Sequence, residues 1–296
     1  GYTNPTMQVE SGDTFKSAGV EVVTARNITN NGTISETTWR YSRAITIDYT
    51  KVPNSAQTNF PVLVKGTYSY LATTGNGGKV NHASGYDIAF FSDASLTRPL
   101  KFEREKWVAT TGEIVAWVKI PSLSNTVNTV IYVAYGNTSI SSDQADPTNV
   151  WDSNYLSVYH LGDGTSIDLN DSTSNNNDLV NGNSTPATAG PINGGANFVR
   201  ANSNYMYGGT TISNDLQTTR SAWVNVSSIP TAGYFRNILG SSNGIDAGYL
   251  DHTLEYNSDQ KAYFYTYCGA PNFTSAGSNT IATSTWVYLT TTHDYE

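Results

Sequence analysis

Apolar positions along this chain recur every second residue, and that period predicts strands rather than helices. In Ala44–Tyr49, Ile45, Ile47 and Tyr49 share one face while Thr46 and Asp48 take the other. In Glu113–Pro121, Ile114, Ala116, Val118 and Ile120 face one way, and Val115, Trp117 and Lys119 face the other. Val130–Tyr135 is apolar on both faces, the pattern of a central strand covered on both sides. Leu156–Leu161, Ser221–Val226, Lys261–Cys268 and Thr285–Thr292 extend the series, and Val20–Val23 is a short strand near the start. Clusters such as Thr74-Gly75-Asn76-Gly77-Gly78, Gly136-Asn137-Thr138 and Asn193-Gly194-Gly195 separate these runs as turns. No amphipathic helix emerges. The pattern predicts an all-β chain of two tandem β-sandwich or jelly-roll domains.

The polar stretch Ser141–Thr148, which contains Pro147, predicts a boundary near Asn149. A softer one near Thr38 sets off residues 1–38, a leader too short for its own core. That leader is expected to pair with the first sandwich, a preceding domain or another subunit. The expected division is therefore 1–38, 39–149 and 150–296.

Composition narrows the classes of partner. With 296 residues, the length suits two domains at roughly 100–200 residues each. Charged residues make up 14%, against about 25% in ordinary soluble domains, and Asn, Thr, Ser, Gly and Tyr carry the polarity instead. The net charge of −8 and scattered Lys and Arg argue against nucleic acid as a ligand. No apolar run approaches the roughly 20 residues of a membrane helix, so no membrane insertion is expected. Cys268 is the single cysteine and reads as a small apolar strand residue. The chain begins at Gly1, with no signal peptide in view. Sequons at Asn27, Asn31, Asn137, Asn170, Asn183, Asn225 and Asn272 permit glycosylation of an exported protein without establishing it.

From Trp39 onward the sequence resembles a bacterial and archaeal surface-protein family known as domain of unknown function 2341. The resemblance rests on Trp39–Ile47, Asn59–Val64, Gly85–Phe90, Leu100–Glu105, Ala116–Pro121 and Ile131–Asn137, in that order. The second half resembles a laminin-G-like, concanavalin-A-type jelly roll through Tyr159–Gly164, Asp171–Leu179, Gly194–Phe198, Ser221–Val224 and Trp286–Leu289. Such pairs occur in exported adhesins, surface proteins and some phage structural proteins, which implies an extracellular, cell-surface or virion location. In that fold Thr285–Thr292 resembles a middle strand, so 150–296 is expected to be an incomplete jelly roll continuing past Glu296. Val287 and Leu289 are then expected to lack full cover within the chain or to be covered by another.

Candidate sites are few. Asp163, Asp168, Asp171, Asn175, Asn177 and Asp178 offer the oxygens that Ca²⁺ takes, and laminin-G-like domains often hold that ion; Asp and Asn also simply form turns. Tyr263, Tyr265 and Tyr267 alternate on one strand face, either packed inside the sandwich or exposed as a ligand or subunit surface. Glu103 and Glu105 also share a face, but Lys101, Arg104 and Lys106 surround them, so a solvated charged strand face is expected rather than a glycosidase pair. The four histidines, His82, His160, His252 and His293, lack metal-ligand spacing, and no phosphate loop or nucleophile elbow is present. The reading is thus a non-enzymatic module that binds glycans or cell-surface ligands. Its alternatives are a structural subunit that meets other copies of itself in a filament, capsid or tail, and, less favoured, a polysaccharide-active enzyme.

Overall fold

The computed structural model describes residues 39–208, 217–232, 235–241, 251–267, 273–277 and 279–294. The expected strand Val20–Val23 and Cys268 lie outside them. The chain is all-β, and the only helical elements among the described residues are short 3₁₀ turns. It divides into two units, with the change after Asn176 rather than at Asn149; the first unit also takes back Ile192–Ala196.

The first unit contains β1 (Tyr41–Ile47), β2 (Gln57–Thr67), β3 (Ile88–Phe91), β4 (Phe102–Val108), β5 (Glu113–Leu123) and β6 (Thr129–Tyr135). They form two three-stranded antiparallel sheets, β1-β6-β3 and β2-β5-β4. Alternation decides which side chains lie between them. Ile114, Ala116, Val118 and Ile120 join Phe90, Phe102, Ile131 and Val133 in one apolar cluster, with Phe90 and Phe102 edge to face at 5.2 Å. The expected run Val130–Tyr135 is the central strand of its sheet, though Val130 itself is exposed.

Strand β4 carries a bulge between Arg104 and Lys106. Ahead of it Phe102 pairs with Val118 on the core face and Glu103 with Trp117 on the outer face. Beyond it Lys106 opposes Val115 and Trp107 opposes Ile114, so Trp107 turns inward, where it packs on the core and donates from Nε1 to Leu71 O at 2.9 Å.

The remainder of the first unit is irregular but tied down. Leu156–Leu161, expected as a strand, forms none. Its backbone is satisfied elsewhere: Val158 N–H donates to Asp171 Oδ1 at 2.9 Å, and Val158 O accepts from Ser172 N–H at 2.9 Å. Leu161 and Gly162 then adopt φ of 60° and 87°, which ends any extended run.

Beyond Asn176 the strands are β7 (Leu179–Gly182), β8 (Ala187–Ala189), β9 (Gly194–Ala196, in the first unit), β10 (Tyr205–Gly208), β11 (Gln217–Asn225), β12 (Phe235–Ser241), β13 (Asp251–Asn257), β14 (Ala262–Tyr267), β15 (Phe273–Ala276) and β16 (Trp286–Asp294). Within the second unit, β12-β13-β14-β15 is a four-stranded antiparallel sheet, while β11 pairs with β16 and β7 with β10. Val226, Tyr256 and Ile281 form its small core, on which Val224, Ile238, Ala262, Val287 and Leu289 pack while remaining half-buried.

Gly112 sits where the β4–β5 turn meets the 3₁₀ turn at Ser69–Leu71, with φ of 69°. A Cβ there would lie 2.0 Å from Tyr68 O and 2.7 Å from Ala72 N, both backbone atoms that cannot swing aside. Gly112→Ala is expected to cost at least about 2 kcal/mol in urea unfolding, from left-handed strain and the clash together. Gly75→Ala, where nothing lies within 4 Å, should stay within about 0.5 kcal/mol of the parent.

Candidate functional site

Two of the three tyrosines singled out in Lys261–Cys268 have described side chains; Tyr267 ends β14 with its side chain outside the description. Phe264 is buried, and its cross-strand partner Leu254 is fully so, which makes theirs the inner face of β14. Tyr263 and Tyr265 therefore stand on the opposite face, half-buried, with stacked rings 6.2 Å apart. The Tyr263 hydroxyl donates to Asp259 Oδ2 at 2.7 Å. Opposite Tyr263 on β13 is Glu255, a buried carboxyl 3.1 Å from the Thr253 hydroxyl that donates to it. Burial raises the pKa of Glu255, against the smaller opposing effect of that hydrogen bond. The face thus sets two phenol rings beside the Asp259 carboxylate, with Glu255 buried across the ladder. Two further aromatic pairs of this unit are well exposed: Tyr205 with Tyr207 at 5.8 Å, and Trp223 with Tyr288 at 5.3 Å.

The acidic loop behaves as a set of turns. Asp163 Oδ1 accepts from the Thr165 hydroxyl at 2.6 Å, which does most to lower its pKa, and from Thr165 N–H at 2.8 Å and Ser166 N–H at 3.0 Å, which add to it. Asp168 Oδ1 accepts from Asn170 N–H at 3.0 Å, and buried Asp171 serves Val158, Thr173 N–H and the Thr173 hydroxyl. Asn175 Nδ2 donates to Tyr155 O and Leu156 O. Asn177 and Asp178 belong to the second unit. Among the described residues no group of three or more His, Cys, Asp or Glu side chains is placed to hold a metal. The oxygens of Asp163, Asp168 and Asp171 thus cap backbone N–H groups of their own loop.

The pair Glu103 and Glu105 departs from expectation. Instead of a solvated charged face, both carboxylates are covered by the segment after Asn149, their side chains only 9% and 6% exposed. His160, 11% exposed, lies between them: Nε2 is 3.1 Å from Glu103 Oε2 and Nδ1 is 3.3 Å from Glu105 Oε2. The Nε2 contact is close but not aligned as a hydrogen bond. Trp151 Nε1 donates to Glu103 Oε2 at 2.9 Å, Trp117 Nε1 to Glu105 Oε2 at 3.0 Å, and the Ser172 hydroxyl to Glu103 Oε1 at 2.6 Å. The imidazole stacks beside Trp117, at 5.8 Å. Of the cations that surround the pair in sequence, Lys106 pairs with Glu113 at 3.0 Å and Arg104 with Asp143 at 2.6 Å.

Burial would push Glu103 up and His160 down, but the contact prevails in both. His160, Ser172 and Trp151 hold Glu103 below the ordinary carboxylate range. Glu103, with the charges of Glu105 and Asp168, holds His160 above the ordinary imidazole range. An imidazolium clamped between carboxylates, each also taking an indole N–H, is suited to fastening rather than to presenting a base to a substrate.

Residues 84–178 match the model of a family described as domain of unknown function (DUF2341). The match overlaps the resemblance noted from Trp39 only from Ser84 on, and it runs past Asn149 to take in Trp151, His160 and Ser172 with Glu103 and Glu105. No curated protein and no solved structure matches the chain.

The ionic centre predicts a defined pH response. His160, raised in the fold, contributes fully below its unfolded pKa of about 6.5 and is lost as pH climbs through its folded value. Glu103, lowered in the fold, contributes fully above about 4.3 and is lost as pH falls through its folded value. Stability of the first unit should therefore peak between about pH 4.5 and 6.5 and fall toward pH 9. His160→Gln should flatten the alkaline fall in a pH series of melting curves. At pH 6 it should cost about 3–5 kcal/mol, because two carboxylates are left buried without their cation.

Proposed function

We propose that this chain is an extracellular or surface-exposed binding module whose second unit, a laminin-G-like jelly roll, recognises glycans. The observation that carries this reading is the stacked Tyr263–Tyr265 pair beside Glu255 and Asp259. Sugar rings present an apolar C–H face and a rim of hydroxyls. Half-buried phenol rings offer the matching flat surface at low entropic cost, and a neighbouring carboxyl and carboxylate accept from the rim. The low proportion of charged residues suits a neutral ligand bound through stacking and uncharged hydrogen bonds. Tyr205–Tyr207 and Trp223–Tyr288 add exposed aromatic surface of the same kind.

A glycan array followed by calorimetric titration of the best neutral oligosaccharide tests this. Tyr265→Ala should weaken binding at least tenfold, about 1.4 kcal/mol, with the melting curve unchanged. Absence of any bound glycan, or unaltered affinity in the variant, removes the reading. Ordered filaments of the same preparation in electron microscopy would replace it with the role of a structural subunit.

A further inference from the structure

Among the described residues β1 is an edge strand of the first sandwich, and it carries a second kind of surface, chemically unlike the tyrosine face of β14. Tyr41 and Arg43 pair across the ladder with Tyr135 and Val133, and they share a face with Ile45 and Ile47, which pack on the core. They are therefore core-side positions of an edge strand, yet Tyr41 is 38% exposed and Arg43 is exposed too. Sandwich edges normally close such positions with aliphatic side chains. Here they are aromatic and cationic.

Four rings follow one another along this opening. Tyr68 lies 5.5 Å from Tyr70, Tyr70 5.3 Å from Tyr135, and Tyr135 5.6 Å from Tyr41. Two glycines make room for the outermost rings. A Cβ on Gly136, whose φ is 80°, would come 2.7 Å from the Tyr41 ring, and one on Gly66 would come 2.6 Å from that of Tyr68. Behind Tyr68 and Tyr70 lies an apolar cavity of about 180 Å³ lined also by Ala44, Ile45, Phe90 and Val133.

The cations are the telling feature. The Arg43 guanidinium sits 5.1 Å over the Tyr70 ring, and Lys79 Nζ sits 5.8 Å over the Tyr41 ring. Among the described residues neither forms an ion pair with a carboxylate, although acidic groups outnumber basic ones by 24 to 16. Elsewhere in this unit Arg98, Lys101, Arg104 and Lys106 each have an acidic partner. A guanidinium with donors to spare binds a carboxylate bidentately, and the rings beside it take a sugar face.

We propose that the cleft formed by Tyr41, Arg43, Tyr68, Tyr70 and Lys79 binds a carboxylate-bearing sugar of an acidic polysaccharide. One or two uronate groups meet Arg43 and Lys79 while the pyranose rings lie along the tyrosines. Nucleic acid fits poorly, because its backbone demands many clustered cations and this chain is net acidic. The site is independent of the neutral-glycan reading given for the second unit.

Calorimetric titration of the whole chain with a short oligogalacturonate, beside its methyl-esterified counterpart and inorganic sulfate, decides the matter. The free acid should bind, the ester should bind at least tenfold more weakly, and raising salt should weaken the acid alone. Arg43→Gln and Lys79→Gln should each reduce affinity for the acid at least tenfold with melting curves unchanged, while Tyr265→Ala should leave it intact. Should Arg43→Gln fail to fold, Lys79→Gln reads the same contact. No binding of the acid, equal binding of the ester, or displacement of the acid by equimolar sulfate would each overturn the proposal. So would affinity unmoved by either cation variant, or lost in Tyr265→Ala.

Discussion

Burying two carboxylates next to one another is the costliest act of this fold, and His160 makes it tolerable. Without a cation between them, Glu103 and Glu105 would have to remain in water, and nothing could lie across the outer face of β4 and β5. With it, that face becomes a second interior: Trp117 and Trp151 close over the charges at 5.4 Å from each other, and Tyr155 meets Trp151 edge to face at 5.1 Å. The irregular chain after Asn149 therefore has a defined place although it contributes no strand to either sheet of the sandwich. Its loops are stiffened in turn by Asp163, Asp168 and Asp171, whose oxygens cap neighbouring backbone N–H groups.

The strands were legible because period-two alternation is a local signal. Glu113–Pro121, Val130–Tyr135 and Thr285–Thr292 all occur within a few residues of where the pattern puts them. Leu156–Leu161 misled because its backbone is taken up by Asp171 and Ser172 instead of by a neighbouring strand. The position of the first unit's end was hidden for the same reason. Ser141–Thr148 is polar and contains a proline, yet Asp143 and Asp146 there hold Arg104 and Lys101, so the stretch is tied into the first unit instead of marking its end.

The sites were harder to read. Glu103 and Glu105 were visible as a pair on one face, but their cation comes from His160 and their donors from Trp117, Trp151 and Ser172, contacts that no spacing rule reveals. The one available hint was two acids placed opposite a tryptophan in a chain with few charges. The tyrosines of the sandwich edge are equally dispersed, from Tyr41 to Tyr135, and meet only because β1 and β6 are neighbours. By contrast, Tyr263 and Tyr265 were identifiable from alternation. What alternation left open was which face is inside, and buried Phe264 and Leu254 decide that.

The bulge in β4 makes the length of that strand, and not merely its composition, a condition of the fold. Laid in a regular ladder, with Glu105 paired instead of bulged, the same residues would have every side chain beyond Arg104 reversed. Trp107 would leave the interior for solvent, and the ammonium of Lys106 would enter in its place. A change of residue in β4 acts at one position, whereas loss of the bulge inverts half a strand at once. The segment is therefore bound in register as well as in sequence.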